Sequence, residues 1–339
     1  MVQRENIPPM ESAFPIAYTG TGELFPLFLK ILKLCKVKKS ETIVLHSDSH
    51  TYPHYPAAFM GAAMELGADV YQIVHPRGVS HKSVVDIWKT ADLVLDLSSY
   101  PSAYQDINRE ALLAGTRILR VGDEESQLRR LFPLPELRSR TEPGAEILTA
   151  GKQLRVQSDA GTDLTLDVTG RTADALYGIA DTPGRWDLWP SGIVVTTAIE
   201  ESATGSLILD TGDCIRNLDH YVRDPVRMKL QEGRIVEIDG GYEAWLLKSW
   251  FERFQDPNVY VVAHIGWGCD QRADWHKSER DTEIYYGNMQ IAFGINVGHY
   301  VDGKNRAKGH IDFACLNNSV SVDDIPILEI GQFVDDRLK

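Results

Sequence analysis

Disulfides, a membrane span and a phosphate-binding loop are features this chain does without. Its four cysteines, Cys35, Cys214, Cys269 and Cys315, are widely spaced with no C-x-x-C pair. That excludes a disulfide framework and a zinc knuckle, and leaves reduced structural thiols as the reading. No stretch reaches the roughly 18 apolar residues that a membrane-spanning helix needs, and the N-terminal MVQRENIPPMESAF lacks the apolar centre of a signal peptide. A cytoplasmic protein with no membrane contact is therefore expected. No G-x-G-x-x-G follows the first strand pattern, and GTGELF near Gly20 lacks the lysine and spacing of a P-loop, so no dinucleotide is expected. Positive charge is also short. Against 48 acidic residues stand 35 Lys and Arg, a formal net charge of -13, and no run of like charge forms a tail. Nucleic acid, which needs a basic patch, is excluded as a partner.

What is present is enough for two globular units: 339 residues, of which 43% are hydrophobic. From Glu41 onward, short β-rich runs alternate with segments whose apolar residues recur at helical spacing. The strands read TIVLHSD, DVYQIVHP, DLVLDLS and RILRVG; the helices between them read YPAAFMGAAMELGA, SHKSVVDIWKTA and SAYQDINREALLAG. This alternation predicts an α/β architecture with a Rossmann-like parallel sheet over residues 1–150. After Gly151 the pattern changes to short alternating strands with Gly or Asp turns (QLRVQSD, TDLTLDVTG, GIVVTTAIE, GSLILD), which predicts an α+β metal-binding domain over 151–339.

Candidate chemistry lies in the last eighty residues. His310 and Asp312 are separated by one residue in KGHIDFAC, so on a strand they share a face while Ile311 and Phe313 point the other way. His264 follows the buried-strand pattern VYVVA and precedes IGWG, whose glycines are read as a sharp turn beside a site. Two imidazoles and a carboxylate make the facial triad that suits non-haem Fe(II) with positions left open. The plain alternative is an ordinary H-x-D strand and a satisfied core histidine. Cys269 and Cys315 lie near these ligands, but in contexts where cysteine acts as a small hydrophobe.

Other candidates are weaker. HSDSHTYPHY brings His46, His50 and His54 to the carboxyl end of a strand, where α/β sheets place ligands, or is simply a polar loop. TPGRWDLWPSG is read as a loop whose Trp186 and Trp189 either staple the core or offer flat faces to a heteroaromatic ring. CDQRADWHKSERDTEIYYGN is too charged for core and reads as a solvated helix or loop, with Arg272 and His276 as possible substrate-binding and acid–base groups. His299 and Tyr300, in NVGHYVDG, are either acid–base groups or part of a glycine-flanked turn.

The blocks GTDLTLDVTGR, WPSGIVVTTAIEESATGSLILD, IGWGCD, MQIAFG and KGHIDFAC, in this order, resemble the thermophilic-type aminopeptidase family and, more closely, its oxygenase branch, the 2,5-dihydroxypyridine 5,6-dioxygenases. The resemblance covers most of the second half of the chain. In the two-metal peptidases the corresponding blocks carry two glutamates and a histidine where this chain has Ile193, His264 and Gln290. Isoleucine cannot bind metal and an amide is a poor ligand. The resemblance thus implies one Fe(II) held by His264, His310 and Asp312, with a hydroxylated pyridine and dioxygen as substrates and N-formylmaleamate as the product from 2,5-dihydroxypyridine. That chemistry needs a base, for which His299, Tyr300 and His276 are the candidates in that order, and Trp186, Trp189 and Arg272 are the candidate substrate contacts; the resemblance also implies a homo-oligomer, a hexamer in the family. A metallo-aminopeptidase and a non-catalytic binding protein on the same fold are the alternatives.

Overall fold

The computed structural model describes residues 20–76, 82–99, 102–277 and 279–339; the N-terminal stretch read as leader-free, residues 1–14, lies outside them. Three sheets organise the chain. The parallel sheet runs in the order Asp69–His75, Thr42–Asp48, Leu93–Asp96, Arg117–Arg120, Trp186–Leu188. Its first four strands are those the βαβ alternation predicts. The fifth comes from TPGRWDLWPSG, read above as a loop: Trp186–Leu188 pairs parallel with Arg117–Arg120 and carries the chain back to the first sheet from beyond position 150. A three-residue strand is too short to show a period, which is why the pattern hid it.

Ahead of the sheet, the helix Thr21–Leu34 spaces Leu24, Phe28, Ile31 and Leu32 three or four apart. Phe28 stacks on Phe59 of the helix Tyr55–Glu65, with ring centroids 3.8 Å apart. Trp189 closes this core edge-on to both Phe28 and Phe132.

The remaining two sheets are antiparallel, one of eight strands and one of seven. The seven-stranded sheet positions the candidate site. Its centre is Val262–Gly268, Met289–Gly294 and His310–Cys315, flanked by Ile193–Thr196 and Ala173–Leu176. With side chains alternating, Val194, Ile265, Trp267, Ile291, Phe293, Ile311 and Phe313 enter one large core shared with the eight-stranded sheet and the helix Pro135–Ala150. The opposite face looks toward the parallel sheet. Gly266 and Gly268, read above as a turn, lie inside a strand; a Cβ on Gly266 would sit 1.9 Å from the Val194 carbonyl oxygen, so glycine serves close strand approach there. Among the described residues, no helix is long and apolar enough to cross a membrane.

Candidate metal centre

The register of three neighbouring strands brings the candidate ligands together. Ala292, on the middle strand, pairs with His264 on one side and with Asp312 on the other, so all three share a rung and a face. His310, two residues before Asp312, shares that face two rungs along. Asp312 Oδ1 lies 3.1 Å from His264 Nε2 and 3.2 Å from His310 Nε2. Ligand atoms of the three residues all fall within 4.8 Å of one another, and no other group of three or more His, Cys, Asp or Glu among the described residues does so.

The electrostatics suit a cation. Burial pushes the Asp312 carboxyl upward, but His310, His264 and Arg216 outweigh it and hold the group well below the usual carboxylate range. Burial lowers the His264 pKa against the pull of Asp312, which keeps that ring neutral. His310 Nδ1 lies 2.9 Å from the Ile295 carbonyl oxygen, which can only accept, so Nδ1 carries a hydrogen and Nε2 is left to bind. An ionised carboxylate and two imidazole nitrogens are the donor set a divalent ion takes, with release of any proton that bridges them. The residues fit a metal.

They line a cavity of about 410 Å³. Leu176, Ile193, Val195 and Gln290 complete its sheet face. The facing wall comes from the parallel sheet and its loops: Tyr104, Arg120, Trp186 and Leu188. Trp186 stacks on His299 at 4.1 Å, and Tyr104 stacks on His310 at the same distance with its hydroxyl oxygen 2.8 Å from Nε2. Arg216, Arg280 and Glu283 form one end; Glu283 accepts from Arg216 at 3.0 Å and from Arg280. The candidate ligands thus sit on one sheet, and Arg120, Trp186 and Leu188 face them from another, across the carboxyl ends of the parallel strands.

A family model for 2,5-dihydroxypyridine 5,6-dioxygenase matches residues 23–335. The chain belongs to the 2,5-dihydroxypyridine 5,6-dioxygenase family. A 2,5-dihydroxypyridine 5,6-dioxygenase of Pseudomonas putida is 31% identical, over 93% of this chain and 97% of that protein. The solved structure of 2,5-dihydroxypyridine dioxygenase from P. putida KT2440 superposes with a TM-score of 0.86 at 29% identity, covering 95% of this chain and all of the other. AmpT from Thermus thermophilus shares the fold at a TM-score of 0.60 and 14% identity, over 92% of this chain and all of that one.

Within this dioxygenase-family fold, the residues singled out from sequence separate into two groups. His264, His310, Asp312, Trp186, His299 and Tyr300 line the cavity, as do Ile193 and Gln290. Trp189 does not: it is fully buried in the core of the parallel-sheet half. Arg272 is held away from the cavity by Asp270 (2.7 Å) and the Phe132 carbonyl (2.8 Å), and His276 is exposed beside Tyr221. His46 is buried behind Asp96, His50 is exposed, and His54 precedes a helix as its N-cap, so the three histidines form no common site. Sequence reasoning missed Tyr104, Arg120, Arg216, Arg280 and Glu283. The last two lie on the helix Glu279–Ile284, in the segment read as solvated; that helix buries Asp281, Thr282 and Ile284. Nothing local in that charged run sets Arg280 and Glu283 apart from its solvated residues.

Proposed function

We propose that the chain is an Fe(II)-dependent ring-cleaving dioxygenase that opens a hydroxylated pyridine such as 2,5-dihydroxypyridine beside its nitrogen, giving N-formylmaleamate from that substrate. One observation carries the reading: His264, His310 and Asp312 converge in a cavity where the neighbouring positions, Ile193 and Gln290, supply no good ligand. When bound, Fe(II) supplies the electron transfer between ring and dioxygen that neither achieves alone.

The chain's own residues do the rest. Ile295 fixes the His310 ring through Nδ1, so that Nε2 stays aimed at the cavity. Trp186 and Tyr104 present aromatic faces against which a flat ring stacks. Arg216 and Arg280 favour the ionised form of a ring hydroxyl, the form that is richest in electrons. Leu176, Ile193 and Val195 keep water from the ring. Burial pushes His299 down to about 3, and its Nδ1 lies 3.3 Å from the Ala103 carbonyl oxygen, so the ring is neutral and offers Nε2 as an acceptor. Burial raises the Tyr300 phenol well above its usual range, which makes it a donor and not a base. His276, exposed and outside the cavity, drops out as a base in this reading.

The peptidase alternative needs a second metal, and Ile193 and Gln290 argue against one. Oxygen uptake by Fe(II)-loaded protein with a panel of hydroxypyridines, run beside peptide hydrolysis, tests the reading. Labelled dioxygen should place two heavy atoms in the opened product. Label arriving only from water would return the protein to the hydrolases.

A further inference from the structure

Gln290 is pinned by its nitrogen and open at its oxygen. It lies on the middle strand of the ligand-bearing sheet, two residues before Ala292, and so on the face that carries His264 and Asp312. Its neighbours on its own rung are Gly266 and Ala314, so no side chain longer than a methyl stands beside it on the adjoining strands. Val195 follows across Gly266; it and Ile193 line the cavity, and neither side chain can hydrogen-bond. Gln290 Nε2 donates to the Glu283 backbone carbonyl, which also accepts from Asn288 Nδ2 at 3.2 Å. Asn288 is itself held, its Nδ2 donating to the Thr282 carbonyl and its Oδ1 accepting from the Gly268 amide at 2.6 Å. A carbonyl only accepts, so this anchor fixes which end of the Gln290 amide is nitrogen. Oε1 has no hydrogen-bond partner among the described residues and is not enclosed by protein; it opens on the cavity that Gln290 lines.

The carboxylates of the cavity are engaged, Asp312 by His264 and His310 and Glu283 by Arg216 and Arg280. Gln105, the other glutamine at the cavity, is half-buried on a different element and its side chain has no such anchor among the described residues. A 2-hydroxypyridine carries its proton on nitrogen in water, as the lactam, so its ring nitrogen is a hydrogen-bond donor. We propose that Gln290 Oε1 accepts this ring N–H, which makes Gln290 the residue that tells a hydroxypyridine from a hydroxybenzene of the same outline. The inference rests on the hydroxypyridine reading above and gives that reading a residue. A hydroxybenzene sets a C–H against the oxygen and leaves it unpaired beside apolar neighbours, a penalty that separates the two rings more strongly than their shapes do.

The test is calorimetry on the Fe(II)-loaded protein without oxygen, using 2,5-dihydroxypyridine, 1,4-dihydroxybenzene and 5-hydroxy-1-methyl-2-pyridone. Native protein should bind 2,5-dihydroxypyridine about tenfold or more tighter than 1,4-dihydroxybenzene, and methylation of the nitrogen should remove most of the affinity. Gln290→Met, similar in length but without the acceptor, should cut the preference below about threefold by weakening the pyridine alone, with 1,4-dihydroxybenzene within about twofold of native. A merely structural role would weaken both ligands alike. Gln105→Met should keep the preference. Overturning results are a preference that survives Gln290→Met, a preference lost in Gln105→Met instead, or equal weakening of both ligands. Binding of the methylated pyridone as tightly as its parent would also overturn the proposal, and that measurement needs no variant to fold. If 2,5-dihydroxypyridine fails to bind the native loaded protein, the hydroxypyridine reading itself falls and takes this inference with it; if it binds with no preference over 1,4-dihydroxybenzene, only the role of Gln290 falls.

Discussion

Two stretches of this chain are rich in histidine, and among the described residues only one of them gathers a group that could hold a metal. His46, His50 and His54 are close in sequence at regular spacing; His264, His310 and Asp312 come from strands far apart along the chain. Spacing by four brings side chains together only on a continuous helix. Here the chain passes from strand to turn to helix within that stretch, and the three imidazoles go to a buried carboxylate, to solvent and to a helix start. The second set is gathered by a hydrogen-bonded ladder, which fixes which residues stand side by side whatever their separation in sequence.

The sharpest way to break this contrast is to remove a ligand. Asp312→Ala should lower iron affinity by about 100-fold or more and abolish oxygen uptake in a folded protein, since losing a direct ligand costs at least as much as losing the groups that orient one. Full iron occupancy in the purified variant would end the assignment. A second experiment rebuilds the ladder as the peptidases have it. Ile193→Glu/His264→Glu/Gln290→His should bring cobalt stoichiometry from one toward two and eliminate oxygenase activity, because those positions line the same cavity. A well-folded triple variant that still binds one cobalt would show that these positions do not correspond.

Two tryptophans give a finer contrast. Trp189→Ala should destabilise the fold by about 3–5 kcal/mol in chemical denaturation, as expected for an emptied core. Trp186→Ala, at the cavity wall, should leave stability nearer to native and raise KM by roughly tenfold, the worth of one stacked aromatic face. Equal effects on both measurements would erase the distinction. The smallest effect belongs to the other histidine stretch: His50→Ala and His54→Ala should keep iron content and kcat/KM within about twofold, as surface changes usually do. A large fall in iron content would restore that loop as a metal site.

The same contrast explains what could be read from sequence. His310 and Asp312 were legible because the two-residue period of a strand is a local property, and the parallel strands because βαβ alternation is. Arg120 was not legible, since RILR reads as the end of a strand and nothing nearby announces that Asp96 will hold its side chain. Arg280 and Glu283 were hidden for the opposite reason: a run of charge looks solvated until Arg216 and Asp123, both distant in sequence, turn out to be their partners. Buried charges are explained by what faces them, and facing is decided by topology. Trp186 and Trp189 illustrate the limit most simply. Three residues apart, they end in a cavity wall and in a core.

Ala292 carries one more consequence. It stands between His264 and Asp312 on their common rung, and its neighbours Ile291 and Phe293 face the core while it does not. Strands in a sheet are held about 4.8 Å apart, so the outer two of three cannot draw closer, and the space their side chains meet in is whatever the middle residue leaves. A methyl group leaves room for an ion. A valine, one base change away in the genetic code, would take much of that room without disturbing the ladder. Loss of function in descendants of this protein therefore has an easy route that touches no ligand, and a search for inactive copies that compares only His264, His310 and Asp312 would count such a copy as intact.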